Sequence, residues 1–236
     1  MNKHFAVFDI DGTIFHWQFF HELFDELVEA HVIDPVIAQP VLDARRKWRQ
    51  GTLNWSVYES GLVTALNVGI VGIDKQLLEE ISERIITVKG KVLYHYTRDL
   101  LKQLQSNGYT TIVISGSQQT LVERFAKTYG IDIALGLDYE FSDNKLVAIK
   151  REIYGQKDVL LKQVVAEHGL VWHNSYAIGD TSGDAGMLEL VEHPIAFNPD
   201  SKLLAIAKEK GWKIVVERKS MAYTLEQNAD GLYVLS

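Results

Sequence analysis

The chain opens on a short unbroken apolar run, Phe5-Ala-Val-Phe8, which gives way to a polar turn at Asp9, Asp11 and Gly12. Four apolar residues bounded by a turn signal predict a buried parallel strand. From His16 to about Val88 the readable segments all have a helical period. Phe20, Leu23, Phe24, Leu27 and Val28 recur at helical spacing and predict a helix over residues 19–31. Asp34-Pro35 reads as the N-cap and first-turn proline of a second helix, reaching about Trp48. Residues 53–68 and 74–86 predict two more, the last capped by Asp74.

After Lys89 the pattern alternates. A helix over 97–107 stops at Gly108 and a strand over 109–114 follows. A helix over 118–129 stops at Gly130, a strand follows at 133–135, and residues 139–148 predict a hairpin turning at Asp143-Asn144. Helix 157–168, strand 175–178, helix 185–191, strand 195–197, helix 201–210 and strand 213–216 complete the series. Repeated βα units ask for a parallel sheet covered on both faces. The expected fold is α/β. A Rossmann-like, doubly wound parallel core would use residues 1–15 and 89–236, and a small helical cap domain, 16–88, would be inserted after the first strand.

Composition narrows the function classes. With 47% hydrophobic and 23% charged residues the chain is of soluble globular type. The absence of cysteine excludes disulfides, thiolate chemistry and sulfur-based zinc sites. A net charge of -7 argues against a nucleic-acid or anionic-membrane surface, so neither partner is expected. There is no apolar leader and no run long enough to span a bilayer, and the expected compartment is the cytoplasm.

The candidate chemistry lies where strands end. Asp9 and Asp11 follow the first strand, and two unpaired carboxylates there would each cost about several kcal/mol if buried. Ligands of open α/β sheets sit at the carboxyl ends of the strands. A divalent cation would let the two crowd together, with Gly12 allowing the tight turn; taken alone, the segment also fits an ordinary Asp-Gly bend. Ser115-Gly116-Ser117 ends another strand, where a hydroxyl and a glycine amide opening a helix would form an anion cradle or a simple serine cap. Lys157 stands in a helix's first turn, where the dipole disfavours a cation. It is expected either to meet an anionic ligand or to be a solvated surface lysine. A second acidic turn, Gly179-Asp180-Thr-Ser-Gly-Asp184, ends the strand at 175–178. Three or four carboxylates from Asp9, Asp11, Asp180 and Asp184 would make an oxygen-rich site suited to Mg²⁺. His16, directly after the first motif, is a candidate substrate contact, whereas His21 is expected on a helix surface.

The ordered set Asp-x-Asp-Gly-Thr, Ser-Gly, Lys and Gly-Asp-x-x-x-Asp resembles the haloacid dehalogenase superfamily of phosphohydrolases. The helical insertion after the first motif, Gly155-Gln-Lys157 and Phe197-Asn-Pro-Asp200 resemble its phosphoserine phosphatase-like branch. The resemblance implies Asp9 as nucleophile and Asp11 as general acid and base. Asp9, Asp180 and the Asp11 carbonyl would bind Mg²⁺, and Asp184 would support the metal. Ser115 and the Gly116 amide would hold phosphate oxygens, and Lys157 would neutralise the charge between nucleophile and phosphate.

In the cap the sequence departs from that branch. Gln18 stands where a glutamate reads the substrate ammonium, and Leu62 where an arginine holds its carboxylate. Arg45, Arg46 and Arg49 are the candidates to replace that arginine. Trp17, Trp48, Trp55 and Phe20 are expected as helix-packing core, with Trp17 and Gln18 ranked highest as substrate contacts. The expected function is a Mg²⁺-dependent phosphatase of a small phosphorylated metabolite, working through an aspartyl-phosphate. The alternatives are a phosphoserine phosphatase proper, or a phosphotransferase using the same intermediate.

Overall fold

The structure is a computed structural model and describes residues 3–219 and 221–236. Nine strands form one sheet in the order β4-β3-β2-β1-β5-β6-β7-β8-β9. The first, β1 (Phe5–Phe8), is 0% exposed at each residue. Successive side chains of a strand point to opposite faces, so both faces of the sheet are covered at β1. It pairs in parallel with β2 (Thr110–Gln118) on one side and β5 (Tyr176–Gly179) on the other. β3 (Ile133–Ser142) extends the parallel set beyond β2, and β6 (His193–Phe197) and β7 (Lys213–Arg218) extend it beyond β5. The chain thus runs outward from β1 through β2 and β3, then returns to the other side at β5. That reversal is the topological switch point at which α/β sheets bind ligands.

Antiparallel strands close both ends. β4 (Lys145–Arg151) forms the expected hairpin with β3, turning through Asp143 and Asn144, both at positive φ. At the other end β8 (Met221–Gln227) and β9 (Tyr233–Leu235) follow β7, and sequence periodicity signalled neither. Their residues are mostly exposed, so the sheet imposes little alternation on them.

Four helices follow β1: α1 (Phe19–Glu29), α2 (Pro35–Arg49), α3 (Trp55–Gly69) and α4 (Lys75–Lys89). α1 buries Phe19, Leu23, Phe24 and Leu27 along one face. Asp34 and Asp74 cap α2 and α4, accepting from the amides of Val36 at 2.7 Å and Gln76 at 2.9 Å. The segment leaves and rejoins the sheet at one seam: the His16 amide donates to Val92 at 2.8 Å and the Tyr94 amide to Ile14 at 3.0 Å. A second seam joins the α3–α4 turn to the β3–β4 hairpin, where the Gly72 amide donates to Leu146 at 2.8 Å. The remaining helices are α5 (His95–Ser106), α6 (Gln119–Tyr129), α7 (Lys157–Glu167), the short α8 (Ala185–Leu188) and α9 (Ser201–Lys210). Among the described residues no helix is long and apolar enough to cross a membrane.

One boundary differs in a way that matters. Ser115, Gly116 and Ser117 do not open a helix; β2 runs through them to Gln118, with a register shift after Ile114. Gln118 is the cap of α6, its side chain accepting from the Leu121 amide at 3.1 Å.

Candidate active site

The turns after β1, β2 and β5 meet at the switch point. The Asp9 amide still donates to Ile178 at 2.9 Å, so its backbone is held by the sheet. The chain then folds back tightly, with the amides of Thr13, Ile14 and Phe15 all directed to the Ile10 carbonyl. Gly12 sits at φ +82°, and a Cβ there would stand 2.2 Å from Asp180 Oδ2. Conformation and close approach therefore both require glycine.

Asp9, Asp180 and Asp184 each present an oxygen, all within 4.8 Å of one another. Lys157 Nζ donates to Asp9 Oδ1 at 2.7 Å and to Asp184 Oδ1 at 2.6 Å. With its side chain 11% exposed, this lysine lies among the carboxylates and not on the solvated surface. The other oxygen of Asp184 accepts from the amides of Asp180 and Thr181 at 3.1 and 3.0 Å and caps the short turn Ser182–Asp184. Thr13 Oγ1 donates to Asp180 at 3.2 Å.

Burial pushes the Asp9 carboxyl up to about 7, against the pull of Lys157. Asp180 is raised well above the usual range, by burial first and then by Asp9 and Asp184. Burial opposes the Lys157 charge, yet Asp184 and Asp9 hold its pKa above that of an ordinary lysine. One ammonium among three carboxylates leaves excess negative charge on hard oxygen donors. That donor set fits a divalent cation of the Mg²⁺ type.

Asp11 is built differently. Its Oδ2 accepts from Ser115 Oγ at 2.6 Å and Ser117 Oγ at 2.8 Å, and its Oδ1 from the Phe19 amide at 2.5 Å. Burial raises its pKa, and the bonds from Ser115, Phe19 and Ser117 draw it partly back. Its carboxylate is thus engaged away from the acidic cluster, which Asp9, Asp180 and Asp184 form, three of the three or four carboxylates expected to gather there. Ser117 was visible in the motif but given no task. The available signal was its spacing, because residues i and i+2 of a strand share a face.

The remaining candidates separate. Ser115 is fully buried, whereas Gly116 is exposed with no atom within 4 Å of an added Cβ. His16 is exposed, its ring centre 4.3 Å from that of Tyr94. Trp17 is 37% exposed, at the edge of a cluster in which Trp48 and Trp55 lie 4.8 Å apart. Leu62 is fully buried, so it is part of the helical core and reads no ligand. Arg45 is tied to Tyr58 and Asp25, and Arg46 pairs with Asp43. His21 is not on the helix surface as expected but 2% exposed, against Trp17, Trp55 and Tyr58. Trp55 and Tyr58 arrive from α3 and Trp17 from the turn before α1, which periodicity within α1 does not reveal. A cavity of about 760 Å³ lined by Tyr176, His193 and Lys213 lies at the opposite, amino ends of β5 to β7, away from this chemistry.

Comparison with known proteins places this geometry. The family model of haloacid dehalogenase-like hydrolases matches residues 6–189, and the chain belongs to that family. It is 26% identical over 210 residues to a phosphoserine phosphatase of Archaeoglobus fulgidus, covering 87% of this chain but 55% of that longer protein. It is 24% identical over 225 residues to a histidinol-phosphatase of Neisseria meningitidis serogroup C, covering 90% of this chain and 98% of the relative. A solved Bordetella pertussis Tohama I protein of unknown function shares the fold at TM-score 0.72 and 22% identity, over 91% of this chain and 98% of that one. A phosphoserine phosphatase in apo form does so at TM-score 0.63 and 20% identity, over 92% and 94%.

Proposed function

We propose that this member of the haloacid dehalogenase-like hydrolase family is a Mg²⁺-dependent phosphatase. It would release inorganic phosphate from a small organic phosphomonoester through an aspartyl-phosphate on Asp9. The observation that carries the reading is the unequal treatment of two neighbouring carboxylates. Asp9 touches Lys157, which favours its ionised form, while Asp11 makes no ion pair and burial raises its carboxyl despite the bonds from Ser115, Phe19 and Ser117. One is suited to attack, the other to hold and return a proton.

In the first step an Asp9 oxygen bonds to phosphorus as the ester P–O bond breaks, and the Asp11 proton passes to the departing alkoxide. In the second, Asp11 takes a proton from water, the water oxygen bonds to phosphorus, and the bond to Asp9 breaks. Ser115 and the Gly116 amide hold phosphoryl oxygens, and Lys157 balances charge between nucleophile and phosphate. Asp9, Asp180, Asp184 and the Asp11 carbonyl are the groups that would hold the metal. Bound there, Mg²⁺ would neutralise charge on the transferring phosphoryl group. Residues 16–88 serve as the cap over the site, with His16, Trp17 and Gln18 nearest the catalytic turn. The relatives named phosphoserine phosphatase and histidinol-phosphatase support phosphomonoester hydrolysis.

Turnover of p-nitrophenyl phosphate with and without Mg²⁺ tests this reading, with free phosphate measured beside any phosphorylated alcohol in added acceptor. Metal-dependent release of phosphate is expected. Absence of turnover with Mg²⁺ present would refute hydrolysis, and dominant transfer to the acceptor would make the enzyme a phosphotransferase.

A further inference from the structure

We propose that the cap reads an uncharged substrate group that both accepts and donates a hydrogen bond, through His21 Nε2–H and Gln18 Oε1. The inference rests on the phosphatase reading and deepens it by naming the chemistry of the leaving alcohol.

The donor follows from a chain of fixed polarity. Arg45 Nε donates to the Tyr58 hydroxyl oxygen at 2.6 Å, and a guanidinium has no other role than donor. The Tyr58 oxygen is therefore accepting from that side, and its one proton lies toward His21 Nδ1, 2.9 Å away. Nδ1 accepts, so the neutral imidazole carries its hydrogen on Nε2. Neutrality follows from the surroundings, since burial and then the charges of Arg45 and Arg49 hold the His21 pKa down to about 3. Asp25 anchors the far end, both of its oxygens lying against Arg45 Nη1, at 2.7 and 2.8 Å. The tautomer is thus set from outside the site. Nε2–H itself is buried and has no hydrogen-bond partner among the described residues. A buried donor left unmade is costly, and this one is held in place by the chain of Tyr58, Arg45 and Asp25.

The acceptor lies one turn away. Gln18 is the N-cap of α1, makes no capping bond, and keeps Oε1 buried without a partner among the described residues. Gln18 and His21 are three residues apart, a spacing that places side chains on one helical face. The turn that carries them starts at the catalytic carboxylate, because the Phe19 amide donates to Asp11 at 2.5 Å. A single turn rises only about 5.4 Å, so both groups stand within reach of the alcohol end of a small phosphomonoester bound at Asp9 and Asp11. Trp17, 37% exposed and 5.1 Å from the His21 ring, is the partly exposed neighbour of that ring.

One donor and one acceptor select among ligands. A hydroxyl, a carboxamide or a neutral azole satisfies both at once. An ammonium has only hydrogens to give, leaves Nε2–H unpaired, and meets the positive field of Arg45 and Arg49. A carboxylate has only lone pairs and faces Gln18 Oε1; Arg45 Nη2 is unpartnered among the described residues, but Nε and Nη1 are already committed to Tyr58 and Asp25. The free end of phosphoserine carries both of the disfavoured groups.

The test compares kcat/KM for glycerol 3-phosphate, whose leaving alcohol bears only hydroxyls, with phosphoserine and phosphoethanolamine, each relative to p-nitrophenyl phosphate. Glycerol 3-phosphate is expected to lead. His21→Phe and, as a variant less exposed to misfolding, Gln18→Leu are each expected to lower the leading substrate's ratio to p-nitrophenyl phosphate roughly tenfold. Tyr58 is a positioning residue, and ¹⁵N spectra of the imidazoles read its part. His21 should show hydrogen on Nε2 in the wild type and a mixture of tautomers in Tyr58→Phe. Phosphoserine or phosphoethanolamine at the head of the panel, ratios unmoved by both variants, or hydrogen on Nδ1 in the wild type would each overturn the proposal. Loss of p-nitrophenyl phosphate turnover in the wild type would instead overturn the phosphatase reading beneath it.

Discussion

The sheet-end site and the helical cap both bury polar side chains, but they balance them in opposite ways. At the switch point the groups are charged and largely close on one another: Lys157 bridges Asp9 and Asp184, and Thr13 reaches Asp180. Around His21 in the helical segment the partners are neutral rings and the Tyr58 hydroxyl, and the Asp25–Arg45 ion pair stands behind Tyr58 and orients it. The sheet supplies rigid strand ends that force carboxylates together, creating a demand for cations. The helices supply an aromatic cluster in which His21 is held neutral. On the proposed reading, chemistry and recognition would thereby fall into two electrostatic environments on one chain.

Substitutions at Asp9 and Asp11 have the largest expected effect. Asp9→Asn should leave no measurable turnover of any substrate. Asp11→Asn should slow each proton-transfer step by about a hundred- to ten-thousand-fold. With p-nitrophenyl phosphate, whose leaving group needs little protonation, Asp11→Asn should still form the phosphoenzyme and hydrolyse it slowly. Rapid-quench kinetics with intact-protein mass spectrometry would show a burst and a phosphorylated chain, and a phosphorylated Asp9→Asn protein would place the nucleophile elsewhere.

Metal removal comes next and touches only the sheet-end site. A chelator should abolish turnover and Mg²⁺ should restore it, with Ca²⁺ a poor substitute because of its larger, looser shell. Burial and mutual repulsion raise Asp180, so a cation binding there also stabilises the folded chain. Mg²⁺ should therefore raise Tm in the wild type and do so less in Asp180→Asn. Equal shifts in the two proteins would detach the metal from this cluster.

Acid should act on the two regions with opposite sign. His21 titrates near pH 3 in the fold, below its ordinary 6.5. Its contribution to stability is complete above about pH 6.5 and is lost as pH falls toward 3, at ~1.4 kcal/mol per pH unit. Asp9 and Asp180 are raised, so they destabilise the metal-free fold above the ordinary carboxylate range, and acid relieves that cost. Urea unfolding of wild type and His21→Phe between pH 7 and 4 should converge or cross as pH falls, the variant losing less stability. Parallel curves would remove His21 as the acid-sensitive group of the cap.

The smallest effect separates two glycines of the same site. Gly12→Ala should be strongly destabilising, since the Cβ collides with Asp180 at a positive φ. Gly116→Ala meets open space and should change stability by less than about 0.5 kcal/mol. Thermal melts of both variants check this, and equal losses would mean that Gly116 too is held by packing.

Much of this was legible along the chain. The acidic turns after β1 and β5 lay where periodicity put strand ends, because a buried parallel strand writes a continuous apolar run and its turn follows at once. The helical insertion was legible for the same local reason, with Asp34 and Asp74 marking helix starts that the structure keeps. Capping is a matter of two or three residues, so the sequence holds all of it. The C-terminal strands β8 and β9 were not legible, since their mostly exposed residues carry no burial pattern.

What the sequence by itself determined was therefore the order of elements and the identity of the candidate carboxylates, both local properties of strand, turn and helix period. The tertiary structure alone decided how those groups are partnered. Asp11 meets Ser115 and Ser117 across separations of 104 and 106 residues, and Lys157 meets Asp9 across 148. His21 acquired its burial and its tautomer from Tyr58, 37 residues away on another helix. Residue type limits what a side chain is able to donate or accept, but which hydrogen bonds it makes depends on neighbours that only the packed chain brings within about 3 Å.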